Sequence, residues 1–354
     1  MVRADDSPRR RPTMREVARA AGVSPMTVSY AYSQPGRVSA DAADKVHAAA
    51  RLLGYPGPHP AARSLARGRV GSLGVVLGER LSYAFDDPQA ARFLAGVSEV
   101  CASEGVGLTL VPTTGAPTDV VRVVQAAVDG FIVWTTSDDD PVLDAVEDTG
   151  LPAVVHAGPH RPGMQTVGID DRAAAAAIGG IAFTGARRPL VLGFPLDRGR
   201  SRQLVSGTDV PDVLFPVTRH RWQGFLDAWT SEGHEAGDLR LAACPVNGVA
   251  AGESFARELL ASADPPDAIG AMSDELALGA LRAAADLGVR VPDDLAVTGW
   301  DDRDAAGPAG LTTLAQSLRE QGADCARAVL GRPTRLPALH QWRVVVRTST
   351  RGAR

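Results

Sequence analysis

Residues 13–55 read TMREVARAAGVSPMTVSYAYSQPGRVSADAADKVHAAARLLGY. The opening Thr13-Met14-Arg15-Glu16 has the form of a capping box, in which the Thr13 hydroxyl accepts from the Glu16 amide and the Glu16 carboxylate reaches back to the Thr13 amide. The spacing predicts a short helix with Val17, Ala18 and Ala21 on its apolar face. It ends at Gly22, whose lack of a Cβ permits the positive φ of a helix-ending turn. Ser24 then caps a second helix, with Pro25 at the first position, where no amide partner is needed. That helix runs to about Tyr32 before Gln34-Pro35-Gly36 breaks it. Ser39 caps a third, reaching about Leu53 with Ala42, Val46, Ala49 and Leu53 at helical spacing. Two short helices joined by a Gly-containing turn are a helix-turn-helix, so the chain opens on an all-α head.

Composition agrees with a head of this kind. The chain has 354 residues and a net charge of −4, but residues 1–69 carry 12 Lys+Arg against 5 Asp+Glu, a local charge of +7, while the remainder carries −11. A basic head on an acidic body concentrates the footprint for phosphates in one place. The length exceeds one typical domain, and 45% hydrophobic with 22% charged residues permits a sizeable core. The three cysteines, Cys101, Cys244 and Cys325, are far apart and lack metal-ligand spacing, as expected for a reducing compartment. The first dozen residues do not read as a secretory signal, and no apolar run reaches the ~18 residues of a membrane span. A cytoplasmic, nucleoid-associated protein without a metal or cofactor is the expectation.

The stretch YPGPHPAARSLARGR from Tyr55 to Arg69 is too rich in Pro, Gly and Arg for a core element and reads as a linker. Apolar runs of strand length then alternate with amphipathic helices. Strands are expected at Leu73–Leu77, Gly107–Val111, Phe131–Trp134 and Ala153–His156, with helices over Phe93–Cys101, Val120–Val128 and Val142–Asp148. A second series has strands at Leu190–Gly193, Leu241–Cys244, Ala268–Met272 and Leu295–Gly299, with helices over Trp222–Ser231, Gly252–Leu260 and Ala277–Asp286. This alternation predicts βαβ units and an α/β body of two parallel-sheet subdomains. Ala173–Ala177 reads as a short low-complexity run, and Asp197–His220 as a long, Pro/Gly-rich, positively charged loop beside a cleft.

These pieces together resemble the LacI/GalR family of bacterial repressors. Residues 13–55 are similar to its head and PHPAARSL to its hinge helix. In the body, DGFIV at 129–133, VGIDD at 167–171, RWQGF at 221–225, SDELALG at 273–279, TGWDD at 298–302 and LTT at 311–313 recur in family order. The resemblance implies a head at 1–57, a hinge helix and linker at 58–69, and an effector-binding and dimerisation body at 70–350 folded like periplasmic binding proteins. It divides that body into an N-subdomain of about 70–170 plus 300–317 and a C-subdomain of about 171–299 plus 318–350. The partners it implies are a palindromic DNA operator, a small-molecule effector and a second copy of the chain, with a tetramer left open.

In such a head the second helix enters the major groove. Pro25, Met26 and Tyr30 are then the base-facing candidates, with Tyr30 standing where many members place an arginine, so a bidentate grip on guanine is missing from that position. Packing of Tyr30 into the helix bundle is the competing reading. Thr13, Ser24, Thr27, Ser29, Ser33, Arg37 and Ser39 match positions that hold phosphates, and for Ser24 and Ser39 simple helix capping stands beside that role. Tyr55, His59 and Ala62 complete the implied DNA-facing set. Leu65 matches a leucine that wedges open a base step in the minor groove. The hinge, too short to be helical alone, is expected to fold on binding. His59 replaces the usual asparagine, and one extra residue separates Tyr55 from Leu65.

Ligand sites in open α/β sheets lie beyond the carboxyl ends of the strands. That rule selects Trp134, His156, Asp274 and Asp301, and the resemblance adds Arg221 and Ser273. A guanidinium, a carboxylate and an aromatic platform suit a sugar or sugar derivative, or a nucleoside. Asp274 reads equally as a helix cap, Trp134 also as core, and His156 stands where many members have aspartate. Phe85 and Asp87, in an altered segment after the first strand, are further effector candidates. A solute-binding transport protein shares the body but not the basic head. An α/β enzyme would need a catalytic signature, and G-x-x-x-x-G-K-[ST], G-x-S-x-G and H-E-x-x-H are all missing. A DNA-binding repressor controlled allosterically by its effector is the expected function.

Overall fold

The computed structural model describes residues 12–57, 68–78, 83–114, 116–334 and 339–351. It forms two compact units, residues 1–70 and 71–354. His59, Ala62 and Leu65 of the hinge lie outside the described residues.

The first unit contains α1 (Met14–Ala21), α2 (Pro25–Ser33) and α3 (Ala40–Leu53). The capping box is formed, with Glu16 N donating to Thr13 Oγ1 at 3.3 Å and Thr13 N to Glu16 Oε2 at 2.7 Å. Gly22 closes α1 at φ 66°. Val17, Ala18, Val28, Ala31, Val46, Ala49 and Ala50 form the core, flanked by Tyr32 and Tyr55. Leu53, expected on the buried face of α3, is 36% exposed. Ala50 takes its place because the last turn overhangs the bundle.

The second unit has two sheets. In the first, β1 (Ser72–Leu77), β2 (Gly107–Pro112), β3 (Phe131–Trp134), β4 (Ala153–His156) and β5 (Gln165–Val167) are parallel, in the order β2-β1-β3-β4-β5. A short α4 (Tyr83–Asp86) precedes α5 (Pro88–Glu104), and α6 (Asp119–Gln125) and α7 (Pro141–Asp148) follow. Strands β1 and β3 are apolar and buried almost end to end because helices cover both faces.

The second sheet has β6 (Pro189–Gly193), β7 (Gln203–Ser206), β8 (Arg240–Ala243), β9 (Ala268–Ala271), β10 (Ala296–Trp300), β11 (Thr312–Ala315) and β12 (Arg343–Val345), in the order β12-β11-β10-β9-β6-β8-β7. Its interior is parallel, but both edge strands, β7 and β12, run antiparallel to their neighbours. Helices α8 (Asp171–Ala182) and α9 (Pro216–Ser231) share one core with this sheet, and α10 (Val249–Leu260) and α11 (Asp274–Asp286) the other.

Three features depart from the expectations. The alanine run 173–177 is the body of α8, started by Asp170 accepting from Ala173 N at 2.9 Å; alanine is the best helix former. The stretch 197–220 is not one loop, since it contributes strand β7 and the first turns of α9, which starts at Pro216 rather than Trp222. The expected subdomain division fails at 300–315 and at 318–329, while 343–345 lie with the C-subdomain as expected. Residues 312–315 pair with β10 in the second sheet, so 300–315 stay with the C-subdomain. Helix α12 (Leu318–Val329) instead packs on α5 and the first sheet, burying Leu318, Cys325 and Val329 beside Leu73 and Phe93. Its close approach depends on two glycines: a Cβ at Gly322 would lie 2.2 Å from Phe93 O, and one at Gly96 1.9 Å from Arg319 O. The chain then returns to the second sheet through β12.

Candidate functional site

A cavity of about 120 Å³ lies where the carboxyl ends of the two sheets meet, lined among others by Trp134, His156, Phe194, Arg221, Asn247 and Asp301. Each follows or ends a strand or lies on a helix that begins there, as the topology of open sheets requires. Backbone strain concentrates at this place. Thr135, Ala157 and Asp301, immediately after β3, β4 and β10, hold φ of 48°, 48° and 104°, conformations that cost of order 1–3 kcal/mol each and gather at ligand-binding positions.

Arg221 on α9 is buried. Its Nε donates to Asp171 Oδ1 at 2.7 Å, its Nη1 to Met272 O at 2.6 Å, and the guanidinium lies 4.0 Å over the Trp300 ring. These contacts fix the plane of the fork and leave Nη2 as the donor open to a ligand. Asp301 is buried and accepts from Gln316 Nε2 at 2.8 Å. Burial, with help from nearby Asp274 and Asp87, pushes its carboxyl up to about 7 against the opposing pull of Arg221. Trp134 lines the cavity and stacks at 5.5 Å on Phe93 behind it, so it is both platform and core. His156, fully buried, has its Nε2 2.8 Å from Gln321 Oε1, and burial depresses its pKa to about 4, which keeps it neutral. Asp87 reaches the cavity, but one of its oxygens caps α5 through Gln89 N and Ala90 N, and the other accepts from Asn247 Nδ2 at 2.7 Å.

Three effector candidates do not line the cavity. Phe85 on α4 is 68% exposed. Ser273 caps α11 through Leu276 N and donates to Asn247, holding a lining residue rather than a ligand. Asp274 does not line the cavity, and the cap of α11 is Ser273. Buried and pushed up to about 6 by burial, Asp274 accepts from Thr313 Oγ1 at 2.6 Å and Arg303 N at 2.7 Å, tying α11 to the segments after β10 and β11. The sequence reading overlooked Asp171, Phe194, Asn247, Gln316, Thr218 and Gln321. Phe194 directly follows β6, so the strand-end rule applied to every strand finds it. Gln316 and Gln321 were hidden because β11 and α12 went unread, and Thr218 because α9 starts earlier than expected.

On the head, Pro25 and Met26 at the start of α2 are exposed, Met26 by 61%. Tyr30 stays out of the apolar core, where Tyr32 packs instead, and Arg37 sits 5.6 Å over its ring. Thr13, Ser24 and Ser39 all cap helices, with Ser24 Oγ accepting from Thr27 N at 3.0 Å and meeting Thr27 Oγ1 at 2.9 Å. Ser33 donates back to Ser29 O at 2.8 Å. Tyr55 packs edge-on to Tyr32. Among the described residues no cluster of side chains could hold a metal ion, and no helix is long and apolar enough to cross a membrane.

A capped helix-turn-helix on one chain with a two-sheet body and an inter-sheet cavity lined by both polar and apolar side chains defines a DNA-binding regulator that carries a ligand-binding domain. Comparison with known proteins agrees. Residues 13–57 match the family model for bacterial regulatory proteins of the lacI family, and residues 196–351 that for a periplasmic binding protein-like domain. An HTH-type transcriptional regulator of Mycobacterium tuberculosis is 37% identical over 321 residues, covering 89% of each chain. The crystal structure of a LacI-family regulator from Corynebacterium glutamicum superposes with a TM-score of 0.69 at 27% identity, over 98% of this chain and all of that one. The regulator CelR in complex with cellobiose gives a TM-score of 0.63 at 26% identity, over 96% of this chain and all of that one. The chain belongs to the LacI family of bacterial transcriptional regulators, and not to the enzymes or transport proteins that share the body's architecture.

Proposed function

We propose that the protein is a cytoplasmic, nucleoid-associated repressor that binds a palindromic operator as a homodimer and is controlled allosterically by a neutral, hydroxyl-rich effector: a sugar, a sugar derivative or a nucleoside. The observation that carries this reading is the donor and acceptor set of the cavity. Arg221 offers a donor, Asp301 and His156 offer acceptors, and Trp134 offers a flat apolar face, the combination a polyhydroxylated ring satisfies on its edges and one face. Arg221 is already matched by Asp171, so this guanidinium does not itself call for an anionic ligand.

In this reading Pro25, Met26 and Tyr30 meet base edges, Thr13, Ser24, Thr27, Ser29, Ser33, Arg37 and Ser39 hold phosphates, Tyr55, His59 and Ala62 belong to the DNA-facing set, and Leu65 is the wedge. The effector changes the relation between the halves of the body and so orders or releases the hinge. A gel-shift titration on the promoter region of the protein's own gene, with a thermal-shift screen of monosaccharides and nucleosides, tests it. A hit that shifts operator affinity must have its own affinity shifted by the same factor when operator is added, because coupling is reciprocal. Equal effector affinity with and without operator sinks the allosteric reading.

A further inference from the structure

Three consecutive hydrogen bonds join the two halves of the cleft. His156 Nε2 lies 2.8 Å from Gln321 Oε1, Gln321 Nε2 donates to Gln316 Oε1 at 3.0 Å, and Gln316 Nε2 donates to Asp301 Oδ1 at 2.8 Å. His156 ends β4 and Gln321 sits on α12, both packed with the first sheet, while Asp301 follows β10 of the second. Gln316 occupies the two-residue connection between β11 and α12, where the chain passes from one half to the other.

The polarity of this chain is imposed from one end. An ionised carboxylate accepts and cannot donate, so Gln316 must turn its amide nitrogen to Asp301 and its oxygen to Gln321. Gln321 then spends its nitrogen on Gln316 and has only its oxygen for His156. An oxygen acceptor requires a proton on Nε2, and a neutral imidazole with Nε2–H has a bare Nδ1. That Nδ1 is buried and has no hydrogen-bond partner among the described residues, on a side chain that lines the cavity.

We propose that Gln316 and Gln321 are positioning residues of the cleft: they pass the negative charge of Asp301 across the crossover as a choice of imidazole tautomer, holding His156 Nδ1 as an acceptor for a hydroxyl or N–H of the effector. The tautomer is a property of the protein alone, and only the ligand half rests on reading the cavity as the effector site. An effector carrying an ether oxygen or a carbonyl at this point would set lone pair against lone pair and leave a buried acceptor unmatched, the kind of mismatch a polar site rejects strongly.

The test is a long-range proton–nitrogen NMR spectrum of the full-length protein labelled with ¹⁵N-histidine, taken at about pH 8.5 to keep Asp301 ionised. His156 is assigned as the pattern lost in His156→Gln. The wild type is expected to show the Nε2–H form, with Nδ1 resonating as an unprotonated nitrogen. Gln316→Leu leaves His156 and Gln321 in place but removes the directing link, and should shift the Nδ1 resonance toward the averaged position of a tautomer mixture. Asp301→Asn, whose amide can donate or accept, should do the same and serves if the leucine variant fails to fold. A wild-type His156 in the Nδ1–H form, or a tautomer unchanged in the folded variants, overturns the proposal. A cavity that ignores every sugar and nucleoside while the tautomer responds as expected overturns the effector reading instead.

Discussion

Arg198 grips Asp139 with both ends of its guanidinium, Nη1 to Oδ2 at 2.9 Å and Nη2 to Oδ1 at 2.8 Å, and reaches Ser137 Oγ at 2.9 Å. Asp139 follows β3 of the first sheet and Arg198 follows β6 of the second, so the pair ties the two halves of the body together. Arg219 of α9 does the same with Asp138. Both pairs are partly exposed, so each is worth only about 0.2–1 kcal/mol. A double-mutant cycle of Arg198→Ala and Asp139→Ala, read by urea unfolding, should give a coupling in that range at low salt. At 1 M salt, where the Debye length falls to about 3 Å, the coupling should shrink toward zero. Coupling that is indifferent to salt would mean the contact acts through packing rather than charge.

The pair between Arg221 and Asp171 obeys different physics because both side chains are at least nine-tenths buried. Removing one partner leaves an uncompensated charge, a change that costs about 3–5 kcal/mol. Arg221→Ala should therefore lower the unfolding free energy by that amount, and the double variant with Asp171→Asn should recover much of the loss. If the single variant proves as stable as the wild type, water reaches Asp171 and the site is more open than its burial indicates.

His156 and Asp301 tilt the stability of the body in opposite directions with pH. His156 has a folded pKa of about 4 against an ordinary 6.5, so as pH falls through that window the unfolded chain takes up a proton that the folded protein refuses, and stability drops by up to about 3 kcal/mol. Asp301 stays protonated in the folded protein up to about 7, well above an ordinary carboxylate, so its contribution is present at low pH and is lost as pH rises from about 4 to 7. Denaturant unfolding at about pH 5, 6.5 and 8 separates them. Asp301→Asn should gain on the wild type as pH rises, and His156→Gln should gain as pH falls. A ligand that needs the Asp301 carboxylate as an acceptor should bind more tightly as pH rises through about 7, and that rise should vanish in Asp301→Asn.

Whether a residue could be read from the sequence depended on how locally its role is set. The capping box of Thr13 and Glu16, the turn at Gly22 and the caps at Ser24 and Ser39 are fixed within four residues of chain, and the structure has them where the sequence places them. Trp134, His156 and Asp301 were legible for a related reason: each sits at the end of an apolar strand whose pattern is self-evident. The cleft's other half depends on long-range packing. Nothing near Leu318–Val329 shows that α12 returns to the first sheet, because that choice rests on Gly96 and Gly322 meeting across a helix pair more than two hundred residues apart in sequence. Gln316 and Gln321 follow from that crossover and were invisible for the same reason. Asp274 and Ser273 fall outside the cavity lining, and the sequence could not show this because a polar residue at a helix start is as well explained by tying elements together as by holding a ligand.

Tyr30 and Arg37 provide the sharpest test of the head, because one is proposed to read bases and the other to hold phosphate. They also touch, with the Arg37 guanidinium 5.6 Å over the Tyr30 ring, so the two effects must be separated by their salt dependence. Each phosphate contact contributes close to one unit to the slope of log affinity against log salt, whereas a base contact contributes none. Arg37→Ala should weaken binding about equally on operator and on unrelated duplex and reduce that slope by about one. Tyr30→Ala should weaken operator binding by about 1–3 kcal/mol, leave the slope unchanged and lower the ratio of specific to non-specific affinity. Tyr30→Arg, which restores a bidentate donor, should move the preference toward sites with guanine at the contacted position. A Tyr30→Ala head that unfolds, as judged by circular dichroism, would instead place the ring in the structural framework with Tyr32. Fluorescence anisotropy on operator and scrambled duplexes between about 50 and 200 mM salt measures all of these quantities together.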